Sequence, residues 1–197
     1  MVRIIGITGG IGSGKSTVCH ILAQRGYPVY DTDREAKRLM RTDTNIIEKI
    51  KTLFGNQAYI SNYELNTKHI AQQVFENDVL LHRLNDIVHP AVKSDLLQWA
   101  DKQMTKYVFA ESAILFESGF NIICYSTIGV IAPMQTRIDR VMNRNGISRQ
   151  QVVERINNQL SDLQLTQLAD FVIHNDGDIN YLGTEIDRII HKITDNN

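Results

Sequence analysis

Cysteine is scarce in this sequence, and long apolar runs are missing from it. The two cysteines, Cys19 and Cys124, are far apart and have no companion cysteine or histidine at metal-ligand spacing. This scarcity argues against a disulfide framework or a zinc site and favours a reducing compartment, so we expect a cytoplasmic protein. The start, Met1-Val2-Arg3, is not typical of a secretory signal. No apolar run approaches the ~18–20 residues that cross a bilayer, so we expect no membrane partner.

An excess of charge of either sign is also missing. Lys and Arg number 21 and Asp and Glu number 22, which gives a formal net charge of −1 at pH 7. Without a global positive field the chain has no general means of holding a polyanion, so we expect no nucleic-acid partner. Nothing in the sequence indicates an obligate protein partner either. The 197 residues, of which 43% are hydrophobic, fit one compact domain.

The first thirty residues carry the pattern of a strand–helix–strand unit. A β-branched run at 3–8 leads into glycines, apolar residues follow at helical spacing over 16–25, and a second strand-like run lies at 27–30. Later strand-like runs lie at 107–110, 126–132 and 171–173. The pattern predicts an α/β fold with a parallel sheet of about five strands wrapped by helices.

Between the second and third predicted strands the pattern is helical only. From Arg34 to about Lys106 helix caps separate four amphipathic stretches, the last of which is predicted to begin at Pro90. This length exceeds what one crossover needs. We therefore expect a helical lobe inserted into the sheet domain, where it would cover a substrate.

The segment 9–17 is the strongest indication of function. It matches G-x-x-x-x-G-K-[ST] between a predicted strand and a predicted helix. Glycines let successive N–H groups point into one concavity, and the helix that follows adds the positive end of its dipole. Lys15 can reach the β- and γ-phosphates of a nucleotide, and the Ser16 hydroxyl can ligate Mg²⁺. The alternative, a turn that merely reverses the chain, does not explain the flanking strand and helix.

Other P-loop classes lack support in the sequence. Guanine-specific GTPases recognise the base with an Asn-Lys-x-Asp motif after a strand. The comparable strand end here, at 174–177, has the sequence His-Asn-Asp-Gly and no lysine. The transporter signature Leu-Ser-Gly-Gly-Gln is also missing. The small size, the inserted helices and a late arginine cluster favour a small-molecule kinase.

Two carboxylates, Asp31 and Asp33, follow the second predicted strand. Ligands of parallel sheets bind beyond the carboxyl ends of the strands, so one of these residues could accept the proton of an attacking hydroxyl. Asp33 could equally cap the helix that begins at Arg34. Glu111, at the end of the third strand, could hold a Mg²⁺-bound water or only cap a turn.

Three arginines, Arg137, Arg140 and Arg144, fall on one face of a predicted helix–turn–helix with Gly146 at its corner. Such a face suits a lid that closes over polyphosphate, although charge runs are more often solvated faces.

His89 precedes Pro90 and could act as a base, but a histidine in this position more often packs at a helix entry.

The chain resembles the dephospho-coenzyme A kinase family over essentially its whole length. The residues that carry this resemblance are the segment 8–17, Asp31-Thr32-Asp33, His89-Pro90, Leu115-Phe116-Glu117, the segment from Arg140 to Arg149, Gln159 and the segment 169–177. Three positions depart from the family pattern. Ala113 stands where a proline is usual, Asn145 replaces an aspartate after Arg144, and Leu165 is nearest to where a lysine is often found.

The resemblance implies ATP-dependent phosphorylation of the ribose 3′-hydroxyl of dephospho-CoA, with ATP and Mg²⁺ as cofactors. The implied catalytic residues are Asp33, Lys15 and Arg140. The implied nucleotide contacts are Gly12, Ser13, Gly14, Lys15, Ser16, Thr17, Arg144 and Asn175, with Ser16 also on the metal. The implied acceptor contacts are Thr8, Asp31, Asp33 and His89.

The resemblance also gives the expected organisation of a single kinase domain. The expected ranges are 1–33, 106–136 and 156–197 for the core, 55–105 for the acceptor-binding lobe and 137–155 for the lid. Two other functions stay open at this point. One is a kinase for a different small metabolite or nucleotide, and the other is a nucleotide-binding regulatory module.

Overall fold

A computed structural model describes residues 2–61, 63–75 and 77–195 of the chain. The strands are β1 (Arg3–Thr8), β2 (Val29–Asp31), β3 (Tyr59–Ser61), β4 (Glu64–Leu65), β5 (Tyr107–Glu111), β6 (Ser126–Ile131) and β7 (Phe171–His174). The α-helices are α1 (Lys15–Gln24), α2 (Thr32–Thr42), α3 (Thr44–Phe54), α4 (Thr67–Phe75), α5 (Asp78–Asp101), α6 (Met134–Asn145), α7 (Arg149–Asn157), α8 (Asp162–Leu168) and α9 (Ile179–Asp195).

The chain divides into two units, with the boundaries between Asp31 and Thr32 and between Trp99 and Ala100. We call the unit that contains the ends of the chain the sheet unit, and residues 32–99 the helical unit. The assignment of 55–105 to acceptor binding and of 137–155 to a lid stays a prediction. Within the described ranges, no helix combines the length and the apolar character that crossing a membrane requires.

The sheet unit contains a five-stranded parallel sheet in the order β2-β5-β1-β6-β7. The predicted α/β fold is therefore confirmed. β1 lies at the centre, and its buried, β-branched sequence is what a strand covered on both faces requires. One face packs on α1 and α9 through the buried residues Ile5, Ile7, Val18, Leu22, Phe109, Ile128, Val130, Ile186 and Ile189. This packing fixes the carboxyl ends of the strands, where the chemistry was expected.

The helices α6 and α7 have their own small core. Gly146, in the left-handed region with φ of 64°, ends α6, and Ser148 begins α7 with a capping box. Ile138, Val141 and Val152 are buried between the two helices, and Ile11, from the segment between β1 and α1, packs against them. The predicted helix–turn–helix is thus present, and it is anchored to the glycine-rich segment.

The helical unit contains an element that the sequence did not predict. β3 and β4 pair as short antiparallel strands, whereas helical periodicity alone was expected in this part of the chain. In β3, Tyr59 is buried and donates from its hydroxyl to the Met40 carbonyl, while Ile60 is 67% exposed. So short an element carries too little periodicity for sequence analysis to detect.

The prediction that a helix begins at Pro90 is wrong. α5 runs without interruption from Asp78 to Asp101 and includes this proline. Proline removes one hydrogen bond from a helix interior and normally breaks or kinks it. Here Val88, Val92 and Leu96 are all buried and follow at intervals of four residues on both sides of Pro90. Their burial stabilises a continuous helix and offsets the lost bond.

Candidate functional site

The segment between β1 and α1 forms a loop at the carboxyl edge of the sheet. Gly14 has φ of 98°, a conformation that an L side chain rarely adopts, and stands immediately before the first residue of α1, Lys15. A Cβ added at Gly14 would lie 1.9 Å from Asn175 Nδ2. Both the backbone conformation and the close approach of Asn175 therefore require glycine here.

Side chains from outside the loop hold its carbonyl oxygens. Asn175 is buried and donates from Nδ2 to the Ser13 carbonyl at 2.7 Å. Arg137 donates from Nε to the Ile11 carbonyl at 3.0 Å, and Arg140 Nη1 lies 3.4 Å from the Gly12 carbonyl oxygen. Because a trans peptide is planar, its N–H points opposite to its C=O. Anchoring the Ile11 and Ser13 carbonyls on one side therefore turns the N–H groups of Gly12 and Gly14 to the other side.

Lys15 and Ser16 begin α1, at the positive end of its dipole. Lys15 is half-buried and donates from Nζ to the Gly9 carbonyl at 2.6 Å, so its ammonium group lies against the loop. Ser16 is exposed and donates from its hydroxyl to Glu111 Oε1 at 3.0 Å. Thr17 follows within the first turn. The loop, a cation and a hydroxyl thus meet at one helix start.

The carboxylates of Asp31 and Glu111 lie on neighbouring strands. Asp31 ends β2 and is the register partner of Glu111, which ends β5 and is in turn the register partner of Ile7. Burial raises the pKa of the nearby Cys19 thiol, and the Glu111 carboxylate raises it further. The Cys19 thiol therefore stays protonated beneath this edge of the sheet.

The predicted lid arginines lie in different environments. Arg140 is half-buried and donates from Nη2 to the Asn175 carbonyl at 3.3 Å. Arg144 is exposed, and its Nε donates to Asn145 Oδ1 at 3.0 Å. Arg137 differs from a solvated lid cation, because its side chain is only 4% exposed and pairs with Asp162 at 2.9 Å.

Two of the predicted site residues belong to the helical unit. Asp33 is exposed in the first turn of α2, which begins at Thr32, so Asp33 stands inside the helix and not at a cap before Arg34. His89 is half-buried in α5. Burial lowers the pKa of His89, and the nearby Asp86 carboxylate opposes this shift. The imidazole is accordingly less easily protonated than an exposed one.

Most of the remaining candidates meet in the sheet unit. Thr8 is buried at the end of β1, Asn175 follows β7, and both lie at the same edge as Asp31. Sequence analysis did not find the contact of Arg137 with the loop, nor that Gln159 Oε1 accepts a hydrogen bond from the Ile11 N–H at 2.7 Å. These contacts join residues more than 120 positions apart, and no local pattern indicates them.

Comparisons with known proteins agree with this geometry. The family model described as dephospho-CoA kinase matches residues 3–181. A dephospho-CoA kinase of Bacteroides fragilis is 40% identical over 175 residues, which are 88% of this chain and 85% of that protein. The enzyme of Fusobacterium nucleatum is 34% identical over 192 residues, covering 98% of this chain and 99% of that one.

A solved structure gives the same result for the fold. The crystal structure of a Thermus thermophilus protein is 35% identical in sequence, covers 98% of each chain and superposes with a TM-score of 0.86. The family model and the relatives confirm the resemblance found in the sequence. This chain belongs to the dephospho-CoA kinase family, whose members use ATP.

Proposed function

We propose that this chain transfers the γ-phosphoryl group of ATP to the ribose 3′-hydroxyl of dephospho-CoA, giving CoA and ADP. The observation that carries the proposal is the loop at 9–14. Side chains of Arg137 and Asn175 hold its Ile11 and Ser13 carbonyls, and Lys15 and Ser16 follow it directly. The chain that contains this loop belongs to the dephospho-CoA kinase family. We infer the cytoplasm as the place of action, since Cys19 and Cys124 are free thiols, as a reducing compartment allows.

The loop would bind the nucleotide through its backbone. The segment Gly12 to Thr17 would hold the phosphates, with the dipole of α1 behind it. The N–H groups of Gly12 and Gly14 would point toward them, whereas those of Ser13 and Thr17 donate to the Gly10 and Gly14 carbonyls. Lys15 would leave the Gly9 carbonyl and pair with the β- and γ-phosphates. Asn175 would act through the backbone, because its amide holds the Ser13 carbonyl. Arg140 and Arg144 would meet the charge that spreads onto the transferred group.

The donor set beside the loop fits Mg²⁺. A hydroxyl oxygen of Ser16 and a carboxylate oxygen of Glu111 lie 3.0 Å apart, and Mg²⁺ prefers oxygen ligands and keeps several waters. Ser16 would ligate the ion and Glu111 would accept a hydrogen bond from one of its waters. The bound ion would neutralise phosphate charge.

The acceptor hydroxyl would be oriented and deprotonated by Asp33. Asp33 follows the end of β2 by two residues, and two residues span at most about 7 Å, so the covalent chain keeps its backbone close to Asp31. Thr8, Asp31 and His89 would contact the acceptor. With its lowered pKa, His89 would be neutral at pH 7 and would serve as a hydrogen-bonding group.

One panel of acceptors tests the proposed function. The protein, ATP and Mg²⁺ are incubated with dephospho-CoA, adenosine, nucleoside monophosphates or shikimate, and ADP release is measured. We expect dephospho-CoA to raise ADP release and to gain the mass of one phosphate. Preference for another acceptor would indicate a different small-molecule kinase. Tight ATP binding with no acceptor effect would indicate a regulatory module.

Replacing Glu111 with glutamine tests the metal assignment. The carboxamide keeps the size of the side chain and removes the charge that would orient a metal-bound water. We expect the Mg²⁺ concentration needed for half-maximal ATP binding to rise about 10- to 100-fold, as for other losses of a metal-supporting group. Glu185→Gln is the matched control, because Glu185 is also half-buried but lies on α9 and pairs with Arg188. An unchanged Mg²⁺ titration for Glu111→Gln would exclude the carboxylate from the metal site.

A further inference from the structure

We propose that Arg137 is a positioning residue that fixes the Ile11–Gly12 peptide, so that the Gly12 N–H faces the phosphates of ATP. The inference deepens the proposed function and rests on it. Arg137 would not touch the nucleotide. It would act through the backbone of the loop, from the side opposite to the phosphates.

Both backbone polar groups of Ile11 are held by side chains. Arg137 Nε donates to the Ile11 carbonyl at 3.0 Å, and the Ile11 N–H donates to Gln159 Oε1 at 2.7 Å. Arg137 Nη1 donates to Asp162, in the first turn of α8, at 2.9 Å. The backbone of Ile11 is therefore hydrogen-bonded to residues of α6 and of the segment before α8. Its side chain packs into the small core of α6 and α7.

The loop lies directly on Arg137. A Cβ added at Gly12 would lie 2.5 Å from the Arg137 carbonyl oxygen, and one added at Gly10 would lie 2.1 Å from Arg137 Nη2. Gly12 has φ of 78°, in the region that favours glycine. The same glycine that permits this approach leaves the Ile11–Gly12 peptide free to rotate if nothing holds it.

The orientation of this peptide decides the sign of its interaction with a phosphate. With the carbonyl bonded to Arg137, the N–H of Gly12 points the opposite way. A rotated peptide would present its carbonyl oxygen to the phosphates and would repel them. A preorganised donor avoids this reorganisation when the ligand binds. Arg137 thus supplies the restraint that glycine lacks.

Stability alone does not explain a charge at this position. The Arg137 side chain is buried, and its Nη2 has no hydrogen-bond partner within the ranges that the structure describes. Buried ion pairs can often be replaced by apolar residues at little cost, whereas removal of one partner leaves the other uncompensated. A buried guanidinium with an unpaired N–H donor stabilises the fold less than an apolar side chain of the same size would. Its role in orienting the loop explains why arginine occupies this position.

The test separates the loop contact from the ion pair. Arg137→Met fills the space and removes both. Arg137→Gln places its Nε2 at the same position along the side chain as the arginine Nε, so it can still donate to the Ile11 carbonyl but cannot reach Asp162. Asp162→Asn keeps the Nε contact and removes the countercharge. ATP affinity is measured by calorimetry, the two KM values by the ADP-release assay, and Tm by thermal unfolding.

We expect ATP affinity and Tm to change in different variants. Arg137→Met should weaken ATP binding and raise the KM for ATP about tenfold, the effect of losing one hydrogen bond to a charged donor. The KM for dephospho-CoA should stay unchanged, and Arg137→Gln should recover most of the ATP affinity. Asp162→Asn should lower Tm the most, because it leaves the buried guanidinium unpaired, while ATP affinity stays close to that of the wild type.

Two results would overturn the inference. One is wild-type ATP affinity in Arg137→Met. The other is a loss of ATP affinity that follows Tm across all three variants, which would give Arg137 a purely structural role. If Arg137→Met fails to fold, Arg137→Leu replaces it. Lower ATP affinity in Arg137→Leu than in Arg137→Gln then supports the inference, and equal affinity in the two contradicts it. ATP binding is measured without acceptor, so failure of wild-type phosphoryl transfer would reject only the proposed function.

Discussion

Replacing Asp33 with asparagine is expected to lower kcat about 10²- to 10⁴-fold, the usual range for loss of a general base. Asparagine has nearly the same shape but cannot accept the proton of the ribose hydroxyl. The nucleotide would bind through the loop of the sheet unit, whereas Asp33 belongs to α2, so ATP affinity should be unchanged. Single-turnover phosphorylation of dephospho-CoA measures the chemical step directly.

The matched control for this variant is Asp78→Asn. Asp78 is also an exposed carboxylate in the first turn of a helix, so its replacement reproduces any effect of lost charge on the helix dipole. Its activity should stay near that of the wild type. A near wild-type single-turnover rate in Asp33→Asn would remove Asp33 from the mechanism.

Lys15→Ala is expected to abolish measurable phosphoryl transfer. The ammonium group contacts the Gly9 carbonyl, so it lies against the loop where the phosphates would bind. Losing a charge aimed at the transferred group costs at least about 10²- to 10³-fold in rate, as for other preorganised electrostatic donors. ATP affinity should fall as well, since the lysine would pair with the phosphates before and during transfer.

ADP release with saturating dephospho-CoA checks this result, and calorimetry checks ATP binding. Lys192→Ala, on α9 of the same unit, removes a lysine far along the chain from the loop and should behave like the wild type. Full activity of Lys15→Ala with ATP and Mg²⁺ would mean that the glycine-rich segment only reverses the chain.

The sheet and the phosphate loop were predictable because their signals are local. A buried parallel strand needs a β-branched apolar run such as residues 3–8, and the loop needs glycine at Gly12 and Gly14 with a lysine beside them. Residues that lie next to one another in the sequence meet both requirements. The order of the strands was not predictable in this way, because β5 lies between β1 and β2 although β1 and β2 are consecutive strands along the chain.

The helix through Pro90 and the pairing of β3 with β4 were not predictable in the same way. Pro90 is a strong stop signal locally, and it is overridden by the burial of Val88 and Val92 on either side of it. The support of the loop by Arg137 joins residues 126 positions apart. The spacing of Arg137, Arg140 and Arg144 indicated a basic helical face. It did not indicate which of these guanidinium groups is buried and which is solvated.

The pairing of β2 with β5 has a consequence for the evolution of the helical unit. Asp31 and Glu111 are register partners although about 80 residues separate them, and nearly all of these residues form the inserted helical unit. The entropy of closing such a loop grows only logarithmically, by about 0.6 kcal/mol for each doubling of length. If the helical unit binds the acceptor, as proposed, lengthening or exchanging this insertion would change the substrate range while the two strands that frame it continue to pair.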